Sequence, residues 1–241
     1  MVGTTISFTL LPILIYKASK KGRKQVLRES LSEIDFKNNI IAKKEWNLNK
    51  DMSLSLFRTI TTSYTGKHIE SKILLIKEYD VALVVCDPMC LERNLNLVIQ
   101  TLEVTNKVIV CINLLDEAKK NNIHVDIEKL STYLDVCVVG ISARQKQGIN
   151  NLLDSLLDVR ESDFKVKYSE IIEDSIKIID EHTGNKFMSI KKIIENEDQN
   201  LILKIDQINK YLSENNINFN DEVMHTVIKK CEEINNKVVK K

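Results

Sequence analysis

Three apolar runs without alternation mark the middle of this chain: Val81-Ala-Leu-Val-Val-Cys86, Lys107-Val-Ile-Val-Cys-Ile112 and Val136-Cys-Val-Val-Gly-Ile141. Each is short, rich in β-branched residues and stopped by a polar motif. Strands buried on both faces look like this, because a sheet covered by helices on each side has no solvent-facing set of residues to alternate with. The spans between the runs carry the helical period instead. Leu91, Leu95, Val98, Ile99 and Leu102 place one apolar stripe on a helix that begins near Cys90. Asp126 to Leu134 reads as a short helix with Asp126 as N-cap, and Ile149 to Val159 as a further amphipathic helix. Strands alternating with helices in this way predict a three-layer α/β fold with a parallel sheet. Ligands of such sheets bind beyond the carboxyl ends of the strands. The motifs there are Asp87-Pro88, Asn113-Leu-Leu-Asp116 and Ser142-Ala143-Arg144.

Beyond Arg160 the β-branched runs stop and the helical period takes over. Tyr168 to Glu181, Phe187 to Ile194, Leu201 to Leu212 and Val223 to Val239 predict about four helices, with breaks at Thr183-Gly184-Asn185 and Asn215-Asn216. Upstream the pattern is weaker. Residues 1 to 16 are apolar and are followed by the basic Lys17-Ala-Ser-Lys-Lys-Gly-Arg-Lys24. They are fewer than the roughly 20 residues that span a bilayer, and a secretory signal carries its charges before the apolar run. A strand of the sheet, a membrane-surface anchor with a basic tail, and the remnant of a truncated start all fit. Leu27, Leu31 and Ile34 could form one stripe in an otherwise unassigned Gln25–Asn49. Asp51 to Thr65 reads as a loop or short strand, and Lys67 to Lys77 as a helix. The chain thus divides into an unassigned segment (1–50), an α/β core (51–160) and a helical domain (161–241).

Composition narrows the classes. With 241 residues, 43% hydrophobic and 29% charged, the chain can bury a substantial core. A formal charge of +1 gives no electrostatic footprint for nucleic acid. Five cysteines, three of them in the predicted strands, read as reduced core residues of a cytoplasmic protein. Cys86-x-x-x-Cys90 lacks the second pair that a structural metal site uses, and His182 and His225 show no ligand spacing. No metal ligand is assigned.

The strand-end motifs suit a flat base. An Asp carboxylate accepts two N–H donors, such as N1 and the 2-amino group of guanine. A nearby Asn can bond N7 and tie neighbouring loops together. Asn113 and Asp116 have that spacing, and Ser142-Ala143-Arg144 after the next strand would bring a backbone N–H to the guanine carbonyl oxygen. Helix capping after the strand is the plainer role for Asn113 and Asp116.

On these residues a resemblance stands out. Tyr79-Asp-Val-Ala-Leu-Val-Val-Cys-Asp87, Cys90-Leu-Glu-Arg-Asn-Leu-Asn-Leu-Val-Ile-Gln-Thr-Leu-Glu103, Val110-Cys-Ile-Asn-Leu-Leu-Asp-Glu-Ala118 and Gly140-Ile-Ser-Ala-Arg144 resemble the cytosolic G domain of the bacterial ferrous iron transport protein B (FeoB) family. Lys186-Phe-Met-Ser-Ile-Lys-Lys-Ile-Ile-Glu195 resembles part of the helical regulatory domain that follows it. The resemblance covers roughly Thr61 onward. It implies a P-loop-NTPase-like G-domain fold, degenerate at the N-terminus, with a small helical domain after it. It also implies Asn113 and Asp116 as guanine contacts and Ser142 and Ala143 as the supporting loop.

The first quarter departs from the family pattern. A G-x-x-x-x-G-K-[S/T] loop lets backbone N–H groups approach phosphates, supplies a Lys to the β/γ oxygens and a hydroxyl to Mg²⁺. Residues 1–60 contain none. At Gly66-Lys67, Thr61 stands in place of the first glycine and His68 in place of the hydroxyl residue. A D-x-P-G motif is also missing, its counterpart falling within Asp51-Met-Ser-Leu-Ser-Leu56. The expectation is a GTP-binding-like module that holds GTP or GDP weakly by the base, without Mg²⁺ and without hydrolysis: a pseudo-GTPase or a decayed copy, with no catalytic residue assigned. The resemblance does not extend to the family's membrane permease. A ferrous iron transporter or its membrane domain is the implied partner, placing the chain in the cytoplasm or at the inner face of the membrane, with residues 1–24 as a peripheral contact. Two other functions fit: an active GTPase with an atypical phosphate site, and an interaction module docking a transporter, in which Asn113 and Asp116 only tie loops.

Overall fold

The computed structural model describes residues 11–18, 44–49, 52–59 and 81–240, Glu197 excepted. The first three stretches are strands, β1 (Leu11–Ala18), β2 (Lys44–Asn49) and β3 (Met52–Thr59). Then follow β4 (Val81–Cys86), α1 (Leu91–Val104), β5 (Val108–Ile112), α2 (Leu115–Lys120) and β6 (His124–Val125). The α/β part closes with α3 (Ile127–Leu134), β7 (Cys137–Gly140) and α4 (Ile149–Leu157). Helices α5 (Glu170–Thr183), α6 (Lys186–Glu195), α7 (Ile202–Glu214) and α8 (Phe219–Val238) complete the chain with a two-residue β8 (Val239–Lys240).

Among the described residues the main sheet has the order β2-β3-β1-β4-β5-β7. The three apolar runs form its parallel half: β4 pairs with β5, and β5 with β7. The other half departs from the expected parallel sheet. β1 runs antiparallel to both its neighbours, β3 and β4, and β2 runs antiparallel to β3. The described part of the apolar N-terminal run, Leu11–Ala18, is therefore a strand, and an internal one among the described residues; residues 1–10 lie outside the described residues. Its register, Ile13 opposite Val84 and Tyr16 opposite Val81, puts Ala18 at the end of the sheet where the parallel strands begin. Trp46 lies in β2, and the Ser-rich stretch supplies β3. The helices read at Leu27–Ile34 and Lys67–Lys77 lie outside the described residues.

The helical boundaries follow local chemistry. Asp87 accepts the Met89 N–H at 2.9 Å and Pro88 opens a single 3₁₀ turn ahead of α1. Asp126 caps α3 by accepting from Lys129 N, as its position suggested, and Asn185 and Asn218 cap α6 and α8 in the same way. Gly184, at φ 63°, ends α5.

One face of the sheet and the helical part share a core. Ala82, Val84, Val110, Ile112 and Val138 are continuous with Leu95 and Ile99 of α1, and with Ile172, Ile190, Val227 and Ile234 of the last helices. Helix α1 touches both sides, packing on β4 and against α6 and α8. The opposite face of the sheet is covered by α4, which packs on β5 and β7 through a stripe that includes the buried Leu152 and Leu156. Polar contacts reinforce the seam. Tyr168 donates its hydroxyl to Glu103 at 2.6 Å, and Lys186 bonds both Glu173 and the Val166 carbonyl while lying 4.8 Å from the Tyr168 ring centre. At the far end of α8, β8 pairs with β6, and the Asp126 N–H donates to the Val238 carbonyl at 2.8 Å.

Because the α8 contact is core rather than a surface dock, truncating it should cost core-like energy. Ile234→Ala, at a fully buried position, is expected to lower stability by about 2–5 kcal/mol. Urea unfolding is the measurement, with a single transition in both proteins.

Candidate functional site

Parallel pairing brings the site together. Cys86 is level with Ile112, and Ile112 with Gly140. Two further backbone bonds extend the alignment past the strands: Asn113 N–H to the Cys86 carbonyl at 2.9 Å, and Ile141 N–H to the Ile112 carbonyl at 2.8 Å. The chain then turns sharply. Leu114 adopts the left-handed region at φ 62° and α2 starts at the next residue.

This turn points Asn113 and Asp116 at the loop after β7. The buried Asn113 accepts the Ala143 N–H on Oδ1 at 3.1 Å. Asp116 Oδ1 accepts the Ser142 hydroxyl at 2.7 Å. Its Oδ2 takes Arg144 Nη2 at 2.6 Å, and Arg144 Nη1 lies 3.9 Å from Glu117. The structure thus brings together all four residues singled out from the sequence, Asn113, Asp116, Ser142 and Ala143. Both acidic and amide side chains direct their oxygens across the loop pair, which is a tie rather than a helix cap. The Ser142 hydroxyl, followed by the Arg144 guanidinium, holds the Asp116 carboxyl below the ordinary carboxylate range.

The receiving loop is shaped by two glycines. Ser142 and Gln147 exchange both backbone hydrogen bonds at 3.1 Å, making a tight turn of 142–147. Gly148 follows at φ 77°, and a Cβ there would sit 2.4 Å from the Gly140 carbonyl oxygen. A Cβ on Gly140 would meet the Leu115 Cδ1 atom at 2.6 Å. The first contact is with rigid backbone, the second with the end of a movable side chain.

At the third strand end, Asp87 is held by a residue that sequence reasoning passed over. Asn94 is fully buried on α1; its Oδ1 accepts the Asp87 N–H at 2.6 Å and its amide approaches Cys90 Sγ at 3.6 Å. An asparagine three residues past Leu91, inside the apolar stripe, was the available signal. Burial, followed by the negative charge of Glu117, raises the Asp87 carboxyl above its usual value, opposed by the Met89 hydrogen bond. Cys86 and Cys111 are buried thiols whose pKa values burial pushes up, so they are poor nucleophiles.

Residues 55–156 match the family model of ferrous iron transport protein B. The Fe(2+) transporter FeoB of Campylobacter jejuni is 36% identical over 161 residues, which cover 61% of this chain and 25% of that protein. The Fe(2+) transporter FeoB of Helicobacter pylori strain J99 is 43% identical over 96 residues, 39% of this chain and 15% of that one. The chain is a relative of the FeoB ferrous iron transporters. It spans about a quarter of the Campylobacter FeoB and less of the Helicobacter one. In fold, it matches the cytosolic domain of Legionella pneumophila FeoB with a TM-score of 0.66 at 22% identity, covering 94% of this chain and 98% of that one. A GDP-bound point mutant of S. thermophilus NFeoB gives 0.67 at 20% identity, covering 90% and 96%. The fold is that of a FeoB G domain with its P-loop-NTPase-like architecture.

Gly148→Ala is expected to lower the thermal midpoint by an amount equivalent to at least about 1–2 kcal/mol, since a left-handed alanine is strained even before the carbonyl contact. Gly140→Ala should cost less. The lowered Asp116 pKa gives a pH test. A depressed folded-state pKa contributes stability above the ordinary value of 3.8 and loses it as pH falls through the folded pKa. The stability difference between the wild type and Asp116→Asn should therefore be constant near neutrality, change against the wild type as pH falls past 3.8 and level off below the folded pKa, measured by thermal melting across pH.

Proposed function

We propose that this chain is a guanine-recognising, FeoB-like module that keeps the base-reading loops of a G domain and lacks its phosphate-binding and hydrolytic parts. The observation that carries the reading is the pair of ties between strand ends, Asn113 to Ala143 and Asp116 to Ser142. They hold a carboxylate, an amide and an S-A-x backbone in one place beyond the carboxyl ends of β5 and β7, where ligands of parallel sheets bind. The GDP-bound state of the S. thermophilus neighbour supports a nucleotide ligand.

The residues fit the base and not the phosphates. Asp116 offers acceptor oxygens to N1 and the 2-amino group, and Asn113 an amide to N7. For the phosphates, no G-x-x-x-x-G-K-[S/T] or D-x-P-G stands in the sequence. A phosphate loop is fed by a strand running toward the ligand edge. The apolar strand β1 runs the other way, and Ala18 leaves it at the opposite edge. Phosphoryl transfer depends on positioning and charge neutralisation by that loop, its lysine and Mg²⁺. Base contacts of roughly 1–3 kcal/mol each must also offset an association cost of about 4 kcal/mol or more. Weak binding without turnover follows.

The partner this reading implies is the membrane part of a ferrous iron transporter, met from the cytosolic side. Among the described residues no helix is long and apolar enough to cross a membrane. A second reading, an interaction module whose Asn113 and Asp116 only tie loops, is favoured by the fact that both side chains already have partners within the chain.

Isothermal titration with guanosine, GDP and GTP, with and without Mg²⁺, decides among these. The expected result is weak binding of all three, little changed by Mg²⁺ or by the number of phosphates, lost in Asp116→Asn, and no phosphate release. Low-micromolar GTP affinity that needs Mg²⁺, or measurable turnover, would make the chain an active GTPase. No guanine binding at millimolar concentration would leave the interaction module.

A further inference from the structure

The Asp116 carboxylate is the group a guanine base needs, and Arg144 is bonded to it. Its side chain is 7% exposed while that of Arg144 is 45% exposed, so a solvent-facing arginine reaches down onto a nearly covered carboxylate. Oδ1 holds the Ser142 hydroxyl, and Oδ2 holds the guanidinium at 2.6 Å. The chemistry of the two competitors is alike. The N1–C2–N2 edge of guanine is itself a cyclic guanidine and presents two adjacent N–H donors, as an arginine does. A base seated on Asp116 with both N–H donors uses both carboxylate oxygens, and so meets Arg144 at Oδ2. Glu117 provides the alternative, its Oε1 lying 3.9 Å from Arg144 Nη1, so a displaced guanidinium keeps an anionic neighbour one residue along α2.

We propose that Arg144 is an intramolecular competitor of guanine for Asp116, and that its exchange between Asp116 and Glu117 sets the affinity of the base pocket. This rests on the reading of Asp116 as the guanine contact. Occupation of the pocket by the chain's own guanidinium lowers the apparent affinity by the fraction of time the pair is formed. A pair whose guanidinium is partly in solvent and has a fallback partner makes that a modest factor, about three- to tenfold.

The probe is guanosine, which is neutral, so its own affinity is little affected by salt. Titrations use the full chain, Arg144→Ala, Arg144→Gln and each of these combined with Asp116→Ala, with thermal melting of every variant as the fold check. Arg144→Ala and Arg144→Gln are expected to bind guanosine about three- to tenfold more tightly than the wild type. The gain should disappear on the Asp116→Ala background. Raising NaCl should strengthen binding to the wild type by screening the ion pair, and leave Arg144→Ala unchanged. Binding that appears in Arg144→Ala with none measurable in the wild type supports the proposal equally. Equal or weaker binding by folded Arg144 variants, with Asp116-dependent binding in the wild type, overturns the competitor role and leaves the guanine pocket standing. Absence of guanosine binding in every protein overturns the pocket itself and the competitor role with it.

Discussion

Everything at the candidate site depends on the parallel pairing of β4, β5 and β7. Parallel strands exchange evenly spaced, slanted hydrogen bonds, and burial on both faces leaves no register in which an apolar residue could slip outward without cost. Cys86, Ile112 and Gly140 are consequently held level, and the polar residues that follow them emerge at one edge. The Asn113 N–H bonded to Cys86 and the Ile141 N–H bonded to Ile112 carry that order into the loops. Side-chain ties then lock the loops to one another. The candidate site is assembled from the backbone outward, from Asn113, buried in the layer, to Arg144, whose side chain is exposed.

The shared core explains why the helical part does not behave as an appendage. Helix α1 buries one stripe against the sheet and meets α6 and α8 as well, so the residues that form its apolar surface serve two layers. Asn94 interrupts that surface for a reason: it satisfies the Asp87 amide where the strand turns into the 3₁₀ segment. A buried polar side chain with its bond made is tolerated, and here it fixes the geometry of the third strand end.

Much of this was legible in the sequence. Unalternating β-branched runs gave the parallel strands, periodic stripes gave α1 and the four C-terminal helices, and Asp126 announced its own cap. The strand-end motifs, together with the family resemblance, pointed to Asn113, Asp116, Ser142 and Ala143 meeting in space, and the parallel pairing of β5 with β7 brings them there. What escaped had no periodic signature. The orientation of β1 depends on pairing partners distant in sequence, and an apolar run reads the same in either direction. Helix α2 is too short for an amphipathic stripe. The Arg144 contact arises from a turn whose geometry is set by Gly140 and Gly148, and an arginine in a polar loop gives no hint of where its head will rest.

The small ladder of β6 and β8 has a mechanical meaning. Lys240 pairs with His124, and the Asp126 amide holds the end of α8. Four residues before His124, α2 ends, and α2 carries Asp116 in its first turn. Displacement at Lys240 therefore reaches the helix bearing Asp116 through a few peptide units, along a path that includes the core residues Val125 and Val238. Because Val125 is buried in that core and Val239 packs on it, parting β8 from β6 disturbs the packing at the end of α8, so the ladder is coupled to the core.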